Sequence, residues 1–197
     1  MHETPKQIVI NIPVRRKGSM SRRLPAALLL VMASVTPASA ADIREPTHGV
    51  TLTYQDGLWS AAIEDQNIHL TCKSDICGGA SGECETMLAM TRPGLTSREF
   101  FNVYQQEFTS GLVDELDKLG VDPVVIDPPT TFWEGGAVVS LSSIRYDESG
   151  TPTRTWAAAQ EAPFGVLTLT CYADEAKYDT AHTAWLALIN NITIPKR

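Results

Sequence analysis

Residues 96–120 read TSREFFNVYQQEFTSGLVDELDKLG. Thr96 and Glu99 have the spacing of a capping box, in which each side chain satisfies a backbone donor that the first helical turn leaves without a partner. Phe101, Tyr104, Phe108, Leu112, Leu116 and Leu119 then recur at steps of three and four, the period of a helix with one apolar face. Gly120 stands where helices commonly stop. The spacing predicts a helix over 97–119 whose apolar stripe meets a core. Gly111 weakens its middle by up to about 1 kcal/mol relative to Ala.

The chain on both sides of this helix has the period of strands. Upstream, GVTLTYQDGLWSAAI (49–63) alternates Val50, Leu52 and Tyr54 with threonines, and Asp56-Gly57 predicts a hairpin turn into a second strand. QNIHLTC (66–72) places Ile68, Leu70 and Cys72 on one face of a third strand, and TMLAMT (86–91) forms a fourth, closed by Pro93-Gly94. These read as an antiparallel meander.

Downstream, VDPVVIDPPTTF (121–132) reads as a linker, followed by strands in WEGGAVVSLSSIRY, TRTWAAAQ and FGVLTLTCY with a turn at DESG (147–150). DEAKYDTAHTAWLALINNI (174–192) closes with Tyr178, Ala181, Trp185, Leu188, Ile189 and Ile192 on one helical face. Strands, helix, strands, helix is the order of an α+β domain: an antiparallel sheet with two main helices packed against it, in a single domain over 41–197.

Residues 20–40, MSRRLPAALLLVMASVTPASA, have the three parts of a secretory signal: Arg22-Arg23, an apolar run from Leu24 to Val35, and Ala38-Ser39-Ala40 as a cleavage site. The run is shorter than the roughly 20 apolar residues of a spanning helix, so no stable membrane span is expected after cleavage. Residues 1–40 are thus expected to be an N-terminal extension plus signal peptide, with Met20 an alternative start and general secretion favoured over twin-arginine export. The exported part keeps ten basic and 22 acidic residues, a formal charge of −12. Such a domain repels phosphate backbones and anionic membranes, so nucleic acid is excluded as a partner.

Cys72, Cys77, Cys84 and Cys171 all lie in the exported part, and an even count there favours two disulfides. Cys77 and Cys84 flank the pliable GGASGE and are expected to pair locally, leaving Cys72 and Cys171, each at the end of a strand, to staple neighbours. Their spacings, CxxxxC and CxxxxxxC, lack the close pairs of a zinc site or a redox CxxC.

Catalytic motifs are absent from the sequence. GGASGEC misses the serine elbow GxSxG by one position, and neither a phosphate-cradling GxxxxGK[ST] nor an HExxH occurs. His69 lies opposite Ile68, Leu70 and Cys72 and is the one histidine offered as a general base, against its plainer reading as a hydrogen-bonded structural residue; His182 belongs to the margin of the last helix. The acidic pairs read as solubilising charge, and no calcium loop is present. No cofactor or metal is expected. Phe132, Trp133 and Glu134 differ, since an aromatic pair in a turn-rich loop from Asp127 to Gly136 is hard to bury and suits partner binding.

The opening GVTLTYQDGLW and the ending LTLTCYADEAKYDTAHTAWLALINNITI, a strand, a short break and a closing helix, resemble the PsbP-like family. The cysteine loop departs from that pattern. The resemblance implies a small accessory or binding protein without catalysis of its own. The function expected is therefore a non-enzymatic periplasmic or secreted accessory protein that recognises another envelope protein. The alternatives are a carrier of a small molecule or metal in a pocket between helix and sheet, and a small hydrolase with its site near His69.

Overall fold

Strands from both sides of the long helix meet in one large antiparallel sheet, beside a smaller one. The computed structural model describes residues 39–134, 137–148 and 150–196. The expected leader, apart from Ser39 and Ala40, lies outside the described residues, as does Gly136. In chain order the strands are β1 (Ala40–Arg44), β2 (Thr51–Gln55), β3 (Trp59–Glu64), β4 (Asn67–Cys72), β5 (Glu83–Met90), β6 (Val124–Glu134), β7 (Ala137–Glu148), β8 (Thr151–Ala162), β9 (Gly165–Asp174) and β10 (Ile192–Thr193). The helices are α1 (Ser97–Lys118) and α2 (Tyr178–Asn190). A seven-stranded sheet runs β3-β4-β5-β9-β8-β7-β6, and a three-stranded one runs β1-β2-β10. The result is the expected single α+β domain.

The two helices lie on opposite faces of the large sheet. Tyr104 of α1 accepts a hydrogen bond from Thr168 (3.3 Å), whereas Trp185 of α2 shares a core with Leu169, Cys171 and Trp156. Thr168 and Leu169 are successive residues of β9, and successive strand residues point to opposite faces. Leu52 and Trp59 join the α2 core, which places the small sheet on that side.

Both helices form where their apolar spacing predicts. The Thr96 hydroxyl accepts from Glu99 N (3.2 Å) while the Glu99 carboxylate accepts from Thr96 N (2.8 Å), the reciprocal capping box. Along α2, Tyr178, Ala181, Trp185, Leu188 and Ile189 are all buried. Along α1 the outcome differs: Phe101 and Leu116 are buried, but Tyr104, Phe108 and Leu112 are only half-buried, and Leu119 is 77% exposed. Periodicity marks an apolar face without saying what covers it.

Three further expectations are corrected. The turn at Asp56-Gly57 exists, with Leu58 N donating to Gln55 O (2.9 Å), but it is no hairpin, because β2 pairs β1 and β10 whereas β3 pairs β4. The chain uses it as a corner that sends Leu52 and Trp59 into one core from two sheets. The true hairpin follows at Asp65-Gln66, both with positive φ (46° and 72°), the backbone that two-residue hairpin loops favour.

The supposed linker and loop are β6, an edge strand. Pro128-Pro129 fall where its register to β7 shifts, between Asp127 and Thr130. Proline donates no ladder hydrogen bond and is tolerated at edges and bulges, which is why its presence did not prevent a strand.

The disulfides join Cys72 to Cys77 and Cys84 to Cys171, not Cys77 to Cys84 and Cys72 to Cys171. β5 lies between β4 and β9, so Cys72 on β4 cannot reach Cys171, whereas Cys84 and Cys171 are direct partners in the β5–β9 register.

Candidate functional site

Three groups of side chains carry the chemistry of this fold, and they share no member. The first is at the Trp133 end of β6. Trp133 pairs with Val138, and its neighbour Phe132, half-buried, pairs with Val139, so the two rings point to opposite faces. Trp133 shares a face with α1. The Arg98 guanidinium, from the first turn of that helix, lies 5.4 Å from its ring centroid and is itself held by Glu161 at 2.9 Å. The indole remains 66% exposed. Glu134 ends β6, and its side chain lies outside the described residues.

The second group is centred on Arg154 of β8, whose side chain is 14% exposed on the α2 face. Its Nη2 donates to Asp127 Oδ2 (2.9 Å) and Ser143 Oγ (3.0 Å), and Nη1 stands 3.7 Å from Glu175 Oε1. Its guanidinium lies 3.7 Å over the Tyr178 ring, and His182 stacks against that ring with centroids 5.2 Å apart. One cation facing two carboxylates has its charge met within the cluster. The arrangement acts as a clamp between the β6 edge and the entrance of α2.

Burial, then the Arg154 charge, pushes the His182 pKa below the ordinary histidine value, against smaller opposing effects of Asp127 and Asp179. The unfolded chain therefore binds the proton more readily than the folded one. His182 contributes stability in full above the unfolded value of about 6.5, and this is lost as pH falls through and below that value. Melting curves between about pH 7.5 and 5 should show a smaller acid-side drop for His182→Gln than for the parent protein. Parallel pH profiles would remove His182 from the account.

The third group lies on the α1 face beyond the helix. His69 Nε2 is 3.4 Å from Glu85 Oε1, which also accepts from Asn67 Nδ2 at 2.9 Å. The Tyr172 hydroxyl donates to Glu83; its burial, then that carboxylate, raises its pKa well above the phenol value. His69 is thus half-exposed and paired with a carboxylate. Among the described residues no group of three or more His, Cys, Asp or Glu side chains is arranged to hold a metal ion. The sequence-derived residues accordingly do not converge: Trp133, His69 and the disulfides belong to separate places. The Arg154 clamp escaped sequence reading because its members, from Asp127 to His182, are joined only by strand pairing and the docking of α2.

Two grooves flank the helices. One of about 320 Å³ runs between α2 and the β2–β3 corner, lined by Tyr54, Leu58 and Ala184. The other, of about 550 Å³, lies between α1 and β5, with Phe100, Tyr104, Phe108 and Leu112 on one wall and Met87 and Ala89 on the other.

No family model matches the chain, and no curated protein matches its sequence. Solved structures do match. The fold is PsbP-like, an α+β class in which helices cover an antiparallel sheet. In particular, the chain is similar to the solution structure of cyanobacterial PsbP (CyanoP) from Synechocystis sp. PCC 6803, with a TM-score of 0.62 and 12% identity, over 85% of this chain and 99% of that one. It also matches a protein of unknown function, PA94 from Pseudomonas aeruginosa, described as a putative regulator (TM-score 0.49, 10% identity, 80% of this chain and 98% of that one). A third match is LpqN of Mycobacterium tuberculosis, involved in cell envelope biogenesis (TM-score 0.42, 12% identity, 83% and 88%). At these identities the likeness is one of fold.

Proposed function

We propose that this protein is a non-enzymatic accessory protein of the periplasm or the secreted space, exported as residues 41–197, which recognises another envelope protein through the Trp133 end of β6. The observation that carries the reading is Trp133 itself, an indole 66% exposed on a sheet edge, with Arg98 over its ring. A large aromatic held on a paired strand is a suitable anchor, and such residues dominate interface energetics. Two disulfides fit an oxidising, extracytoplasmic compartment, and cleavage after Ala40 would leave four of the five β1–β2 register pairs in place. No helix among the described residues is long and apolar enough to cross a membrane. The likeness to CyanoP supports the fold and leaves the partner open.

A photo-crosslinking amino acid at position 133, in the envelope of the source organism, should give one discrete adduct, while the same group at exposed Thr180 on α2 gives background only. Trp133→Ala should weaken the partner's binding by roughly 30-fold, the effect of losing about 2 kcal/mol at an anchor residue, with the melting temperature unchanged. Equal yields from both positions would reject the reading.

A further inference from the structure

Pairing with Val138 fixes the backbone of Trp133, but a side chain 66% exposed at a sheet edge still turns about its own bonds. What stands against that turning is Arg98, whose guanidinium lies 5.4 Å from the indole centroid.

Three elements build the contact. Trp133 comes from β6, Arg98 from the first turn of α1, and Glu161 from β8, where its carboxylate holds Arg98 Nη2 at 2.9 Å. Glu161 shares a strand face with Ala159, which packs with Phe100 and Phe101 of α1. β7 runs between β8 and β6 and sets their spacing: Val138 pairs with Trp133, and the next residue, Val139, pairs with Gln160. Glu161 and Trp133 therefore stand about 10 Å apart, two strand spacings, on the α1 face. Arg98 reaches both.

Arg98 is not placed there for the helix. A cation in the first turn opposes the helix dipole, which favours Glu99 at the next position instead. Nor does an ion pair with one partner half-exposed add much stability. The carboxylate does keep the guanidinium in one place, and the ring lies against it. We infer that Arg98, held by Glu161, is the positioning residue of Trp133: it fixes the indole in one orientation, covers one face of the ring and leaves the other to the partner. A ring ordered before binding loses less freedom on binding, which raises affinity. This inference rests on the reading of Trp133 as the contact with an envelope protein.

Fluorescence of the purified protein tests it. Trp59, Trp156 and Trp185 are 2% exposed or less, so of the four indoles acrylamide reaches Trp133. Arg98→Ala should raise the ratio of mobile to fixed indole, read from the fast phase of the anisotropy decay of the quenchable emission, about two- to fivefold, the equilibrium equivalent of one exposed cation–π contact. Its acrylamide quenching should rise as the covered face opens. Glu161→Gln should move both readouts in the same direction, acting through Arg98, and should add nothing in the Arg98→Ala background. Arg98→Lys, which keeps a cation near the ring, should fall between the parent and Arg98→Ala. All three variants should melt within about 2 °C of the parent, because the pair is exposed.

An indole equally mobile in the parent and in Arg98→Ala, or a shift in Arg98→Ala that Glu161→Gln does not share, would overturn the inference. The photo-crosslink at position 133 judges the other reading. Shifted fluorescence without a discrete adduct rejects the Trp133 interface and supports the hold of Arg98 on the ring. A discrete adduct with unshifted fluorescence removes the positioning role alone. Where both results are positive, Arg98→Ala should weaken the captured partner about two- to fivefold, far less than Trp133→Ala.

Discussion

Replacing Cys84 and Cys171 together by alanine is expected to lower the unfolding free energy by about 4–5 kcal/mol, against about 2 kcal/mol for Cys72→Ala with Cys77→Ala. The difference comes from chain closure. The first bridge joins residues 87 apart in sequence and the second residues only 5 apart. Loop entropy in the unfolded chain grows with the logarithm of that separation and yields about 2.5 kcal/mol between the two. Packing losses largely cancel in the comparison, since all four cysteines are buried in the same core. In a domain of this size the gap should appear as roughly 5–10 °C in melting temperature. The Cys84–Cys171 bridge also joins two directly paired central strands, the last of which leads into α2. Equal losses from the two double variants would show that native packing around the bridges, not closure of the long loop, sets their contribution.

That pairing also shows where sequence reading stops. The helices were legible because their signals are local: a capping box three residues apart, and apolar side chains at steps of three and four. The strands were legible as short alternating runs. Which strand lies beside which is a property of the whole chain, and the cysteine pairing depended on it, because β5 intervenes between β4 and β9. The same limit hid the division into two sheets at Asp56-Gly57, and it left β1 and β10 unread. β6 was missed for a different reason. Prolines at 128 and 129 argue against an inner strand, and only the topology shows that this one is an edge. At the site, the aromatic pair was found by residue type, but its setting on a sheet edge, with Arg98 over Trp133, was not. The half-covered stripe of α1 read as core because hydrophobic periodicity is the same for a face met by a sheet and a face left open.

Gly165→Ala is expected to cost about 3–5 kcal/mol, although it adds a single methyl group, since both backbone strain and overpacking apply. Gly165 has φ of +144°, a conformation that L side chains rarely adopt, at the turn from β8 into β9. A β-carbon there would stand 2.0 Å from Ala89 O, 2.6 Å from Thr91 N and 2.9 Å from Met90 C. All three are backbone atoms at or just past the end of β5, which pairs Met90 with Gly165, and Thr91 N donates a hydrogen bond to Phe164 O at 2.7 Å. Relief therefore requires moving a ladder and not a flexible side chain. Gly150→Ala separates the two contributions. Its φ is +86°, yet its β-carbon would meet nothing within 4 Å, so only the backbone strain of about 1–2 kcal/mol remains. Denaturant unfolding of the two variants should show Gly165→Ala losing at least about 2 kcal/mol more than Gly150→Ala. If the losses match, the close approach of the β8–β9 turn to β5 does not constrain the fold. If they differ as expected, the same crossing that places β5 beside β9 fixes the wall on which Met87 and Ala89 face Phe100, Tyr104 and Phe108 of α1.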